Sequence, residues 1–365
     1  MVIDIKKIIS LLSAMILFCF SACSQSGNQN TTDSATVSTA PKQEETKEMT
    51  AQDKLKGILD DANFSGIVTV TKDEKQFFTY TKGTLRNGEA ITMDTPMPIG
   101  SNSKHFCAAV IMLLQEEGKL SIDDTLSKYY PDYQYGAKIT LRNLLNMTAG
   151  IKEVSPDDMP YHPNSTKEQE QKDIDAQKAI IFSNEPVSAP GESYNYSNVN
   201  YFLLSDIAKI VTGKDITTLL REYIFEPLKM THTGTVYELS GSPKWADGYS
   251  YVFDDVSINY NMVGAGGIIS SASDMQIWMN ALPQGKVVSK ESYKLMTTPA
   301  GESIPYGFGL SLREGEAGHG GFIGIYSATI DMAPERKLTV FMASDTIGTK
   351  TQQDIMFERL LPQIE

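Results

Sequence analysis

One segment of the sequence is apolar on nearly every side, and it constrains the fold more than any other feature. Helical patterning covers residues 104–117, and residues 106–114 form an unbroken run of apolar side chains. A helix without a polar face is buried inside a protein rather than laid on its surface. The pattern therefore predicts a central helix wrapped by the rest of the chain, with Gly118 as its C-cap.

Ser101 and Lys104 lie where this helix begins, and their spacing of three places both on one helical face. A serine hydroxyl is a weak nucleophile that needs a nearby base. A lysine desolvated at the start of a buried helix has a lowered pKa, because burial disfavours its charged form. The helix N-terminus also offers N–H groups to an oxyanion. The segment predicts that Ser101 is a nucleophile with Lys104 beside it.

The N-terminus is typical of an exported protein. Lys6 and Lys7 precede an apolar run that ends at Ala22, which is the pattern of a secretory signal. The segment Phe20-Ser21-Ala22-Cys23 resembles the lipobox of bacterial lipoproteins, with Phe20 where leucine is usual. The resemblance implies removal of residues 1–22, acylation of Cys23 and a lipid-anchored, extracytoplasmic protein. The alternative is an ordinary signal peptide followed by an incidental cysteine.

Residues 23–52 are predicted to be a flexible tether, because they are polar and cannot bury enough surface to fold. Residues 53–361 form the predicted folded domain. Its patterns indicate a hairpin, a helical middle and a strand-rich C-terminal third, so we expect one sheet built from both ends, with a helical insertion at about 126–284. Strands are predicted at 64–71, 77–81, 305–312, 322–333 and 337–344, helices at 199–212, 215–224, 273–282 and 350–360, and a surface excursion at 152–178.

Several classes of protein are disfavoured. The net charge is −13 and no basic stripe occurs, so we expect no nucleic-acid partner. The four histidines lack metal-ligand spacing and no phosphate-binding glycine loop occurs, so we expect no metal and no cofactor. His105 and Cys107 are predicted to be core residues rather than chemical groups.

Ordered motifs along residues 55–345 resemble the serine β-lactamases of class C and the related DD-peptidases of the penicillin-binding-protein family. The segments that carry the resemblance are 98–104, 114–124, 139–150, 190–198, 225–228, 266–278 and 319–321. The resemblance implies an α/β (α+β) fold of the β-lactamase/transpeptidase type, in which helices flank an antiparallel sheet and an all-helical subdomain is inserted.

The resemblance also implies roles for individual residues. Lys104 and Tyr196 would share the proton transfers of Ser101, and the sequence leaves open which of them is the base. Asn198 would orient Lys104 and bind the substrate amide.

The segment His319-Gly320-Gly321, called the third motif below, and the residue that follows it supply the remaining predicted site residues. The backbone N–H groups of Ser101 and Phe322, the residue after Gly321, would bind the oxyanion. His319 stands where members of the family have Lys-Thr-Gly or His-x-Gly. A lysine there would be a permanent cation for the substrate carboxylate, whereas a histidine with an ordinary pKa is only partly charged near neutral pH. His319 is therefore a candidate substrate-binding residue, and if it contacts a carboxylate, its charged form should bind better.

The implied function is a serine hydrolase that works through an acyl-enzyme, as a D-Ala-D-Ala carboxypeptidase, another peptidase or an esterase with incidental β-lactam reactivity. The expected partners are a small-molecule or peptide substrate, such as a peptidoglycan stem peptide or a β-lactam, and the membrane through the lipid. Two alternatives stay open: a dedicated class C-like β-lactamase and a non-catalytic penicillin-binding sensor.

Overall fold

The computed structural model describes residues 49–84, 88–155, 158–160, 162, 166–239, 262–346 and 348–364. The predicted signal peptide, the predicted lipidation site at Cys23 and nearly all of the predicted tether lie outside the described residues. The folded unit begins at Met49.

Two antiparallel sheets occur within the described residues. Their strands are β1 (Gly66–Lys72), β2 (Lys75–Lys82), β3 (Met97–Pro98), β4 (Gly234–Thr235), β5 (Ile268–Ser270), β6 (Ser311–Arg313), β7 (Glu316–Ile323), β8 (Tyr326–Ala333) and β9 (Leu338–Ser344). The large sheet has the order β2-β1-β9-β8-β7-β6, and the small one has the order β3-β5-β4. Because β1 pairs with β9, the prediction of one sheet built from both ends of the domain is confirmed.

The helices lie on both sides of the large sheet and in the segment between β3 and β6. They are α1 (Ala51–Asp61), α2 (Ser103–Glu116), α3 (Leu141–Leu145), α4 (Lys167–Ser183), α5 (Asn198–Thr212), α6 (Ile216–Leu220), α7 (Val236–Leu239), α8 (Val263–Gly266), α9 (Ala272–Ala281), α10 (Lys290–Met296) and α11 (Thr349–Asp354). Within about 126–284, the described residues contain helices α3 to α9 and the two short strands β4 and β5.

The alternation of side chains along β1 explains why helices cover both faces of the sheet. Val68 and Val70 pack with Leu55 and Leu59 of α1, whereas Ile67 belongs to the larger core on the other face. Helix α2 lies in that larger core and is buried along almost its whole length, as its apolar pattern predicts. The sheet and α2 together give the site a rigid base.

Three sequence predictions need correction. Residues 322–333 form parts of two strands rather than one, because Gly324 takes a left-handed φ of +58° in the turn between β7 and β8. The predicted strand 305–312 reduces to β6, since Gly309 has a φ of +70°. Residues 152–178 are not only a surface excursion, because α4 begins at Lys167 and buries Ile174. Residues 316–321 of β7 escaped prediction because the glycines there have low strand propensity.

Candidate active site

Ser101 lies in one turn of 3₁₀-helix, Gly100–Asn102, directly before α2. The two residues between Ser101 and Lys104 hold this turn in place. Asn102 Nδ2 donates to Ile99 O at 2.9 Å and to Ala328 O at 3.1 Å. Ser103 Oγ donates to Gly100 O at 2.8 Å and accepts a hydrogen bond from the N–H of Ile268 at 3.0 Å. The nucleophile candidate is thereby fixed to both sheets.

Lys104 has no exposed surface. Its Nζ lies 3.1 Å from Ser101 Oγ, 2.7 Å from Asn198 Oδ1 and 2.6 Å from Ala265 O. Burial lowers the pKa of Lys104 from 10.5 to about 7, and the nearby carboxylate of Glu153 opposes part of that shift. A substantial fraction of Lys104 is therefore uncharged at neutral pH.

Tyr196 is the second side chain in contact with Ser101, and the residue is 36% exposed. Its hydroxyl donates to Ser101 Oγ at 2.8 Å. Burial raises the pKa of the Tyr196 hydroxyl above its ordinary value of 10. Lys104 Nζ lies 4.9 Å from the centre of the Tyr196 ring, so the three side chains predicted from the sequence form one cluster.

Asn198 is the first residue of α5 and links Lys104 to a residue that the sequence analysis did not single out. Asn198 Oδ1 accepts from Lys104, and Asn198 Nδ2 donates to Glu153 Oε1 at 2.9 Å. Glu153 lies three residues beyond Gly150, in the segment predicted to be a surface excursion. A single carboxylate there carries no sequence signal, because only the fold brings it to the start of α5.

The glycines of β7 allow the strand to lie directly against the turn that carries Ser101. A Cβ on Gly321 would lie 1.9 Å from Ile99 O, so no side chain fits there. Gly100 has a φ of +52°, and a Cβ on it would lie 2.7 Å from the backbone nitrogen of Phe322. The backbone nitrogen of Phe322 therefore lies close to the turn that carries Ser101, and Phe322 is 58% exposed.

His319 lies on β7 beside the cluster, and both of its ring nitrogens make hydrogen bonds. Because a carbonyl oxygen only accepts, the 2.6 Å contact assigns a proton to Nδ1, which donates to Gly320 O. Nε2 is then the acceptor for the hydroxyl of Tyr306 at 3.0 Å. Burial, reinforced by the charge of Lys104, lowers the pKa of His319 to about 3. Burial therefore favours the neutral ring over the partly charged histidine expected from the sequence.

His105 and Cys107 point into the core rather than toward Ser101. Trp278 Nε1 donates to His105 Nδ1 at 3.1 Å, and the two rings stack. Cys107 is fully buried and burial raises the pKa of its thiol to about 12. Within the described residues, no group of three or more potential ligands could hold a metal ion. In the same part of the chain, no helix has both the length and the apolar character needed to cross a bilayer.

Comparison with known proteins places this arrangement in a family. The profile of the beta-lactamase family matches residues 51–361. The chain belongs to the β-lactamase family. Other members of this family of serine hydrolases resemble it at moderate identity, and solved structures share its fold, in which helices flank an antiparallel sheet as predicted.

Two relatives and one solved structure illustrate the similarity. The chain is 28% identical to the "Putative penicillin-binding protein PbpX" of Bacillus subtilis (strain 168), over 86% of this chain and 83% of that protein. It is 28% identical to the D-aminopeptidase of Brucella anthropi, over 70% of this chain and 51% of that protein, so it spans about half of that relative. The crystal structure of D-amino acid amidase from Ochrobactrum anthropi SV3 complexed with L-phenylalanine amide matches with a TM-score of 0.69 and 21% identity, over 86% of this chain and 98% of that chain.

Proposed function

We propose that this protein forms an acyl-enzyme on Ser101 and acts as a peptidase, amidase or esterase on substrates that contain D-amino acids. The observation that carries the proposal is the position of Ser101 Oγ between Lys104 Nζ at 3.1 Å and the Tyr196 hydroxyl at 2.8 Å. The similarity to a D-aminopeptidase supports the substrate class.

The contacts of Lys104 favour it as the base. An uncharged amine has two N–H groups and one lone pair. Asn198 Oδ1 and Ala265 O, the two nearest oxygens, take the two N–H groups, because in these positions each acts as an acceptor. The lone pair then faces Ser101 Oγ. Since Tyr196 donates its own proton to that oxygen, the serine proton is free to point at Lys104.

The proposed reaction follows from this arrangement. Ser101 Oγ bonds to the substrate carbonyl carbon while its proton moves to Lys104 Nζ, and the oxyanion is held by the N–H groups of Ser101 and Phe322. The C–N or C–O bond to the leaving group then breaks, and the leaving group takes a proton from the Tyr196 hydroxyl, which the Lys104 proton replaces. In the second half, water gives a proton to Lys104 Nζ while its oxygen bonds to the acyl carbon. The C–O bond to Ser101 then breaks, and the proton passes from Lys104 to Ser101 Oγ.

The uncharged His319 favours substrates that do not depend on a carboxylate contact at the third motif. Its two ring nitrogens are occupied by Gly320 and Tyr306, so it offers no free donor to an anion. Exposed aromatic surface from Tyr194, Tyr196 and Phe322 lies near the cluster and suits an apolar substrate group. We therefore favour D-amino acid amides, esters and peptides over substrates recognised by a free carboxylate.

The test compares four substrates with the soluble domain: a D-amino acid amide, a p-nitrophenyl ester, a peptide ending in D-Ala-D-Ala, and a penicillin followed by intact-protein mass spectrometry. We expect turnover of the D-amino acid amide and of the ester, and a penicillin adduct that is only transient. A folded Ser101→Ala variant should show neither turnover nor adduct. A permanent adduct without turnover would support a penicillin-binding sensor. Faster turnover of penicillin than of every amide or ester would support a dedicated β-lactamase.

We also propose that the domain is held outside the cytoplasm by a lipid on Cys23. The support is the sequence, in which Ser21-Ala22-Cys23 follows an apolar run. Two acyl chains give stable anchoring where one is marginal. Cells fed labelled fatty acid should label the wild-type protein and not Cys23→Ala, which should leave the membrane fraction. A wild-type protein without label would contradict the proposal.

A further inference from the structure

The carboxylate of Glu153 holds the start of α5. Ser197 Oγ donates to Glu153 Oε2 at 2.6 Å, and Val199 N approaches the same oxygen at 3.4 Å. Ser197 is the N-cap of α5, yet its side chain makes no capping hydrogen bond of its own. Glu153 therefore takes the place of an N-cap side chain, where a negative charge also interacts favourably with the helix dipole.

The second oxygen of the same carboxylate acts on the site. Glu153 Oε1 accepts from Asn198 Nδ2 at 2.9 Å. An amide group has one accepting side and one donating side, so fixing its donors toward Glu153 turns Asn198 Oδ1 toward Lys104, 2.7 Å away. With the amide reversed, the NH₂ group would face the donors of Lys104 and its oxygen would face a carboxylate.

From these contacts we infer that Glu153 is a positioning residue for the acylation of Ser101, acting on Lys104 through the Asn198 amide. It fixes which side of Asn198 faces the lysine, and so where the lysine's lone pair points. The inference rests on the proposed function, because it concerns the same nucleophile and base.

Glu153 also influences the charge of Lys104, whose other neighbours come from several elements. These are Cys107 on α2, Tyr196 before α5, Tyr201 on α5 and His319 on β7. Among the causes of the Lys104 shift, burial lowers the pKa and Glu153 gives the largest opposing effect. Removing the negative charge of Glu153 should therefore favour the neutral lysine at lower pH.

The test measures the rate of covalent labelling of Ser101 by a fluorophosphonate as a function of pH. Glu153→Gln should lower the plateau rate about tenfold or more, on the order of one charge-assisted hydrogen bond. The acid limb of the pH profile is the part in which the labelling rate falls as Lys104 becomes protonated. In Glu153→Gln this limb should move to lower pH, by roughly half a unit or more. A residue that only caps α5 would change thermal stability and leave the position of the limb unchanged.

Two further variants separate charge from reach and test the path through Asn198. Glu153→Asp keeps the charge but is one carbon shorter, so the plateau should fall while the limb stays near its wild-type position. In an Asn198→Ala background, Glu153→Gln should have little additional effect on the plateau, because residues that act through one contact are not additive. Glu185→Gln, at an exposed carboxylate, is the matched control and should behave like the wild type.

The outcomes distinguish the inference from the function on which it rests. Two results with a wild-type protein that labels normally would overturn the role of Glu153 and leave the proposed function intact. One is an acid limb that stays in place in Glu153→Gln, and the other is additive effects of Glu153→Gln and Asn198→Ala on the plateau rate. If Glu153→Gln does not fold, Glu153→Asp decides, and an unchanged plateau in that variant overturns the inference. A folded wild-type protein that no probe acylates overturns the proposed function and this inference with it.

Discussion

Titration of Lys104 is the property of the site that the structure predicts most sharply. Its pKa falls from 10.5 to about 7 because the amine is fully buried. At about 1.4 kcal/mol per unit, this shift corresponds to roughly 5 kcal/mol of disfavoured charge. An unperturbed lysine is neutral in about one molecule in 3,000 at pH 7, whereas about half of Lys104 is neutral there, a gain on the order of a thousandfold in available base.

The expected result is an acid limb in kcat/KM for an uncharged p-nitrophenyl ester. The rate should rise about tenfold per pH unit at low pH and level off above a midpoint near 7, because kcat/KM reports the groups of the free enzyme. Subtracting the rate of Ser101→Ala removes spontaneous hydrolysis. If Tyr196 were the base, the limb would lie above pH 10, since burial raises the pKa of its hydroxyl from that value. A midpoint in that alkaline range would refute Lys104 as the base.

Protein stability provides an independent measurement of the same shift. The pKa of Lys104 is lower in the folded than in the unfolded chain, so the unfolded chain binds more protons between about pH 7 and about pH 10.5. The free energy of unfolding should therefore rise with pH across this window, relative to Lys104→Met, in which the group cannot titrate. The measurement is urea unfolding of both proteins at several pH values. A difference in the free energy of unfolding that does not change with pH would contradict the predicted burial of the amine.

Two more predictions concern β7. His319 should stay uncharged between about pH 5 and about pH 9, because burial lowers its pKa to about 3, so anionic and neutral substrates should show the same pH profile of kcat/KM. If kcat/KM fell for the anionic substrate only, as the pH rises through about 6.5, the hypothesis of a charged His319 would be restored. Gly321→Ala should lower the free energy of unfolding by about 1–3 kcal/mol and slow the labelling of Ser101, because its Cβ would lie 1.9 Å from Ile99 O. The matched control is Gly57→Ala on α1, where a Cβ meets nothing within 4 Å, and equal effects of both substitutions in thermal melts would argue against the close approach of β7.

The sequence by itself determined the features that depend on local periodicity. The apolar run after Lys104 predicted a buried helix, and the spacing of Ser101 and Lys104 predicted a contact between them, which is 3.1 Å long in the structure. The hairpin of β1 and β2 followed from two β-branched segments around a polar turn. Ordered motifs predicted that Tyr196 and Asn198 lie near Ser101, although they are far from it along the chain.

Only the tertiary structure decided the charge states and the alignment of the site. The ordinary pKa of His319 gave no warning of its burial beside Lys104, because desolvation depends on what packs around a group rather than on its neighbours in sequence. Glu153 and Asn198 are 45 residues apart, and their hydrogen bond exists because the segment after Gly150 folds back on the start of α5. Strand β7 is rich in glycine, so its local propensity is weak, and it forms because β8 and the turn of Ser101 leave room only for a strand without side chains at Gly321.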